Sequence, residues 1–322
     1  MVSCARVSQA EDAAKIAEKI SRAAATNSID DPSLSPWHLK LSFQLMDAKG
    51  HLSEQGTIEE WWKSPSLYKI VYASPSYKST ELQTAAGLYR TRDQPSAPYL
   101  LDSVLQQVVH PLAESEVKDG VPDLRRETFG KVQLDCIMIT QPIKNVAYPP
   151  LGLFPTYCLD RDRDSLRASY NFGTQMVLRN SIGKFQNHLV TVDQKLIQNT
   201  VEAISAHIDD LRTAAITEAE LTPSADMERI DGQAATVASG VVQGYAMSQP
   251  RPVYPERAKR NHVSGTVLIG VIIGTDGRIH SMKLLKVPDP DLAIAAITAV
   301  RQWTYRPYMS MAFRLRFRLR SP

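Results

Sequence analysis

The sequence predicts an α+β protein of two domains, an antiparallel strand-rich body with helices followed by a small αββαβ module. Two observations carry this. A hydrophobic period of two recurs from Trp37 onward, interrupted by stretches of helical period. The charge also shifts sign: residues 251–322 hold 13 Lys and Arg against 4 Asp and Glu, whereas the first 250 residues hold 24 against 30. A basic module therefore follows a mildly acidic body, the mark of two domains with different partners. With 322 residues and 43% hydrophobic content, the chain has material for more than one core, which excludes global disorder. No run approaches the roughly 18 apolar residues of a spanning helix.

Each element has its own signal. Ala10 to Ala25 alternates Ala, Lys and Glu, with Ala13, Ile16, Ala17 and Ile20 at helical spacing, and the Ser/Asp/Pro-rich stretch 27–36 ends that helix. Trp37, Leu39, Leu41, Phe43 and Leu45 then alternate with His38, Lys40, Ser42 and Gln44, as in a half-buried strand. Strand-like runs follow at 56–63, 67–74, 78–83 and 86–92, giving a meander with one apolar face. Residues 98–116 read as a helix with Leu101, Val104, Leu105, Val108 and Leu112 on one side. Further strands are expected at 132–140, 156–160, 167–178 and 184–192. The run 196–211 fits either a helix, through Val201, Ile204, Ile208 and Leu211, or a closing strand. Pro223, Ser224, Asp226, Asp231 and Gly232 mark a linker. The expected divisions are an N-terminal helix over 1–30, the antiparallel body over 31–215, the linker over 216–233 and the module over 234–322.

The three cysteines, Cys4, Cys136 and Cys158, match no zinc spacing. They are either two buried thiols and an exposed one, or a Cys136–Cys158 disulfide in an oxidising compartment with Cys4 separate. Val2-Ser3-Cys4 also resembles the tail of a bacterial lipoprotein signal, although the preceding apolar segment is absent.

The C-terminal module carries an ordered string of motifs. It reads Pro252-Val253-Tyr254-Pro255, Ala258, Gly265-Thr266-Val267, Asp276-Gly277, Leu292, Ala295-Ala296, and finally Ala299-Val300-Arg301-Gln302-Trp303-Thr304-Tyr305-Arg306-Pro307-Tyr308. Asp276-Gly277 is a hairpin signal between two strands, and Trp303 and Tyr305 would clamp the preceding helix to the sheet. The string resembles the C-terminal domain of the TonB energy-transducer family over residues 234–322. The resemblance implies structural roles for Tyr254, Pro255, Gly265, Asp276, Gly277, Trp303, Tyr305 and Pro307. It places function at a sheet edge that pairs with a segment of an outer-membrane transporter. The candidate edge is Phe313, Leu315, Phe317 and Leu319 facing in, with Arg314, Arg316, Arg318 and Arg320 facing out; an arginine row favours an acidic partner. Two departures stand out. The family's Gly-Pro-containing loop is missing between Pro307 and Phe313, and these residues hold neither a membrane helix nor a Pro-rich spacer.

The body, residues 8–212, resembles the LolA-like lipoprotein-carrier fold, a half-barrel of antiparallel strands around helices. The resemblance lies in Phe43-Gln44-Leu45-Met46-Asp47-Ala48-Lys49-Gly50, Gly56-Thr57-Ile58-Glu59-Glu60-Trp61-Trp62 and Tyr68-Lys69-Ile70-Val71. It implies that Trp37, Leu39, Leu41, Phe43, Ile58 and Trp62 either line a cavity for a lipid or lipoprotein acyl chain or fill a core.

Catalytic signals are weak. No HxxxH pair, G-x-S-x-G, P-loop or Rossmann fingerprint appears, and Asp160, Asp162 and Asp164 lack the Gly and Glu of a calcium loop. The expectation is no enzyme, no cofactor and no metal. The chain is expected to act in the periplasm, at or near a membrane, docking an envelope protein. A ligand-free envelope scaffold is the alternative, and nucleic-acid binding a distant third.

Overall fold

The structure, a computed structural model, describes residues 3–112, 120–143, 149–171, 175–198, 200–230, 235–236, 246–273, 277–306 and 313–320. For 3–12, 171, 175, 235–236, 272, 280–281 and 313–320 it describes the backbone alone. Chain contacts divide it into two compact units, the first comprising Met1–Thr140, Pro155–Tyr170 and Gln175–Asp231, the second Gln141–Phe154, Asn171–Thr174 and Gly232–Pro322.

The first unit contains α1 (Ser3–Thr26), β1 (Trp37–Met46), β2 (Leu52–Ser64), β3 (Leu67–Ala73), β4 (Lys78–Thr84), β5 (Gly87–Thr91) and α2 (Tyr99–Val109). After these come β6 (Val121–Phe129), β7 (Val132–Thr140), β8 (Thr156–Asp160), β9 (Leu166–Asn171), β10 (Gln175–Phe185), β11 (His188–Gln198), β12 (Val201–Thr213) and β13 (Met227–Arg229). All thirteen strands join one sheet in the order β13-β5-β4-β3-β2-β1-β12-β11-β10-β9-β8-β7-β6. The run 196–211 is therefore strand: β12 pairs antiparallel with β1 from Trp37↔Thr213 to Leu45↔Ile204, which returns the meander to its first strand. The predicted strands 167–178 and 184–192 divide differently. β10 and β11 form one hairpin, turned at Gln186 and Asn187 with φ of 44° and 71°. β6 is an edge strand that the sequence reading left out, and α2 ends at Val109, earlier than the expected 116.

One face of this sheet is covered by the helices. Leu101, Val104, Leu105, Val108 and Val109 of α2 pack with the inward residues of β1, β2, β3, β11 and β12 in a single buried cluster. On α1, Ile20, Ala23 and Ala24 pack with Ile137, Ile139, Tyr157, Leu159 and Leu166 in a second. Residues expected as linker lie along the sheet instead as far as Arg229. Ile216 and Leu221 are buried against Leu82, and β13 pairs with β5. The burial of two apolar side chains opposes a freely moving tether there.

Cys136 and Cys158 face each other across β7 and β8, and a disulfide joins them with both residues fully buried. Their sequence separation is 22 residues. Reduction is expected to lower the unfolding free energy by about 3 kcal/mol through loop entropy in the unfolded chain. Denaturant unfolding with and without reductant checks it, and coincident midpoints would contradict the expectation. The Asp160–Asp164 run is a turn whose charge is met by cations: Asp164 pairs with Lys19 at 3.4 Å and Arg22 at 3.2 Å.

The second unit contains β14 (Ala235–Thr236), β15 (Ala246–Ser248), α3 (Glu256–Arg260), β16 (Thr266–Ile273), β17 (Ile279–Lys286), α4 (Pro290–Val300), β18 (Thr304–Tyr305) and β19 (Phe313–Arg320). The α3-β16-β17-α4-β19 succession is the αββαβ order expected, so the α+β class holds in both units. Asp289 caps α4, its carboxylate accepting from the backbone N–H of Asp291 and Leu292, with Pro290 at the first turn.

Candidate functional site

In the second unit the motif residues brace one another. The indole of Trp303 donates to the Pro250 carbonyl at 2.9 Å, and the Tyr254 hydroxyl donates to the Val263 carbonyl. Tyr305 is buried; its N–H donates to the Gly277 carbonyl at 2.8 Å and its hydroxyl accepts from Gln249 at 3.1 Å. Gly277 has φ of 73°, and a Cβ there would meet the Tyr305 carbonyl oxygen at 2.0 Å, so only glycine fits this crossing. A Cβ on Gly265 would strike Pro288 at 2.5 Å. Pro255 is the residue at which α3 begins. Asp276 and Pro307 lie outside the described residues.

What these braces position is β19. It pairs antiparallel with β16 along its whole length, Phe313↔Ile273 through Arg320↔Thr266. The register sets positions 313, 315, 317 and 319 opposite Ile273, Val271, Ile269 and Val267, all 2% exposed or less. Positions 314, 316, 318 and 320 lie opposite Ile272, Gly270, Leu268 and Thr266. The other flank of β19 meets β14 in parallel at Ala235↔Phe313 and Thr236↔Arg314, the pairs given by the described residues. From Leu315 on, no strand among the described residues pairs with that flank. Such a row of backbone donors and acceptors can accept one more strand.

In the first unit, Trp37, Leu39, Leu41, Phe43, Ile58 and Trp62 come together on the face under α2, each 2% exposed or less. Trp37 and Trp62 are cross-strand partners whose rings stack at 5.5 Å and 7°. The six are filled around by α2 and by Tyr72, Tyr77, Val177 and Val190.

Glu60 was missed. It sits between Ile58 and Trp62 on the same face, opposite Leu39 on β1 and Ile70 on β3, and is only 4% exposed. Burial, with the carboxylates of Asp30 and Asp102 adding, pushes its carboxyl up to about 8. Nearby Tyr72 is 1% exposed, and its hydroxyl has no hydrogen-bond partner among the described residues. The period-two pattern through Ile58, Glu60 and Trp62 was the available signal. Arg179, buried on β10, was missed as well. It donates to Gln107 at 2.5 Å and Ser169 at 3.2 Å, and burial pulls it down to about 9.

Among the described residues no group of three or more His, Cys, Asp or Glu could hold a metal ion, and no helix is long and apolar enough to cross a membrane.

Comparison with known proteins bears on both units. Residues 250–319 match the family described as Gram-negative bacterial TonB protein C-terminal. Protein TonB of Klebsiella pneumoniae is 31% identical over 78 residues, covering 23% of this chain and 32% of that protein. The chain thus matches about a third of that relative's length. A LolA superfamily protein from Nitrosomonas europaea aligns with a TM-score of 0.43 at 12% identity, over 66% of this chain and 97% of its own. A putative outer membrane lipoprotein-sorting protein domain from Vibrio parahaemolyticus gives 0.41 at 10%, over 66% and 97%. Both alignments have TM-scores below 0.5 and carry no argument about this chain. Over residues 250–319 the chain is similar to the TonB C-terminal family.

Proposed function

We propose that this chain is an envelope-associated docking protein of the TonB family. Its second unit captures an extended segment of an outer-membrane transporter-like protein by adding it to the flank of β19 opposite β16. The observation that carries the proposal is the asymmetry of that strand among the described residues, paired with β16 over eight positions on one side and with β14 over two on the other. Main-chain hydrogen bonds would supply affinity, and the four arginines of β19 would favour an acidic segment. The buried Cys136–Cys158 disulfide supports an oxidising compartment, the periplasm. An acyl chain on the inner face of the first unit would have to displace α2, so the proposal gives that face no lipid. It is a reading of a binding protein and assigns no catalytic residue.

Backbone amide hydrogen exchange on the full chain tests it, with peptides copied from the periplasm-facing N-terminal segments of outer-membrane transporters. The expected result is slowed exchange at residues 315–320 with a sequence-matched peptide and none with its scrambled form. Exchange there that no such peptide alters would defeat the proposal.

A further inference from the structure

The face of the first unit's sheet turned away from α2 carries a concavity of about 1020 Å³. Its floor is a cross-strand row formed by Gly56, Phe43, Ala206 and Gln194 on β2, β1, β12 and β11. Phe43 and Ala206 send their side chains into the core shared with α2, and Gln194 donates to the Val104 carbonyl of α2 at 2.6 Å. Along a strand, neighbours of such residues point the other way. The rows on either side therefore present their side chains to the concavity. One is Gln55, Gln44, Ser205 and Lys195; the other is Thr57, Ser42, His207 and Asp193. Both rows are polar throughout.

The hollow has a structural cause. Register shifts fall at Lys40/Leu41 and Leu45/Met46 on β1 and at Leu196/Ile197 on β11, bracketing the site. Bulges of this kind bend strands and raise the local twist. Gly56 contributes as well, because a Cβ there would meet the Ala73 carbonyl oxygen at 2.4 Å.

The charges in the site are already matched. Lys195 binds Glu202 at 2.7 Å, His207 binds Asp193 at 2.7 Å, and the Ser42 hydroxyl donates to Asp209 at 2.9 Å. With its proton directed to Asp209, Ser42 is not set up as a nucleophile for His207. The side chains of Gln44, Gln55, Thr57 and Ser205 form no hydrogen bond to another described residue. Two carboxamides and two hydroxyls are thus left open, each able to donate and accept. Gln44 and Gln55 are directly opposite one another, as are Gln44 and Ser205, so three of these groups adjoin.

Neutral groups of mixed donor and acceptor character, repeated at strand spacing, match a ligand bearing hydroxyls along its length. An ionic ligand would meet paired charges, and an apolar one would strand the amides. Met46 and His207 lie in the same lining and offer apolar contact to the ring C–H faces of such a ligand. We propose that this concavity binds a neutral oligosaccharide, with Gln44 and Gln55 as its principal hydrogen-bonding side chains. The inference is independent of docking at β19, which lies in the other unit.

The test uses the full chain with two probes, the tetramer of N-acetylglucosamine and maltotetraose, read by saturation-transfer NMR and calorimetry. Saturable binding of at least one is expected. The double substitution Gln44→Ala/Gln55→Ala should weaken it by about tenfold or more, the loss of two net hydrogen bonds. Both glutamines are exposed, so the thermal midpoint should stay in place. Absence of transfer to both probes at about 10 mM, a concentration that reveals millimolar affinity, would overturn the proposal. Binding unchanged in the double variant would also overturn it.

Discussion

Replacing Trp37 with alanine is expected to destabilise the first unit by about 4–6 kcal/mol, close to the whole stability of many domains. Three losses add. Trp37 is fully buried, and truncating so large a side chain in a packed interior costs roughly 3–5 kcal/mol. The stack on Trp62 is lost, worth about 0.5–1.5 kcal/mol beyond its area. The Ile29 carbonyl, which accepts from the Trp37 indole at 2.8 Å, loses a buried partner. Trp61→Ala is the control. One position from Trp62 it faces the other way, over Lys69 at 4.4 Å from the ring and beside the His38 ring at 4.7 Å. Its removal should lower stability by about 1–2 kcal/mol, the worth of a half-exposed cation–π and packing contact. Urea unfolding followed by far-UV circular dichroism measures both. Equal losses for Trp37 and Trp61 would mean that the inner face is not the packed core described above.

That contrast shows where the sequence was readable. β1 alternates apolar and polar residues from Trp37 to Leu45, so its face was assigned without knowing its neighbours. The β10–β11 hairpin was misread because its turn uses Gln186 and Asn187 at positive φ, with no glycine or proline to announce it. β6 escaped because Val121–Phe129 carries a proline and four charged residues, the composition of an edge strand rather than of a buried one. Residues 216–233 read as a linker because of Pro223, Ser224, Asp226, Asp231 and Gly232, yet Leu221 and Met227 reach the cluster around Leu82. Tertiary burial of a few side chains outweighed local composition.

The C-terminal motif was more legible than the sites. Gly277, Trp303 and Tyr305 announce themselves because sterics or size leave few substitutes at a crossing. The flank of β19 depends on which strands lie beside it, and pairing is not written in any one strand. The polar concavity is still less visible. Ser42, Gln44, Thr57 and Ser205 are ordinary surface residues of separate strands, and register alone assembles them. Glu60 was legible and overlooked, since the same alternation that placed Ile58 and Trp62 inside places it between them.

Glu60→Gln is expected to stabilise the protein progressively as pH rises. In the folded state the buried carboxyl keeps its proton up to about pH 8, whereas an exposed one releases it near 4.5. Between those values the folded chain holds a proton that the unfolded chain has lost. Stability therefore falls with rising pH at up to about 1.4 kcal/mol per pH unit. Below about pH 4.5 both states are protonated and the group is neutral in its effect. At pH 8 and above the accumulated loss is on the order of 3–5 kcal/mol. Glutamine has the same shape and never ionises, so it removes the slope while leaving the packing of Leu39, Ile58, Trp62 and Ile70 intact. Chemical unfolding at pH 5, 7 and 8.5 should find the two proteins within about 1 kcal/mol at pH 5 and separated by several at pH 8.5. The His110–Asp30 pair lies at 3.0 Å, and repeating the comparison with His110→Gln in both backgrounds isolates the Glu60 carboxyl. Parallel stability profiles for the wild type and Glu60→Gln would show that water or a cation reaches the carboxyl and lets it ionise in place. A diverging pair would make Glu60 a destabilising group held in an otherwise apolar wall, where ionisation at alkaline pH loosens the packing beneath α2.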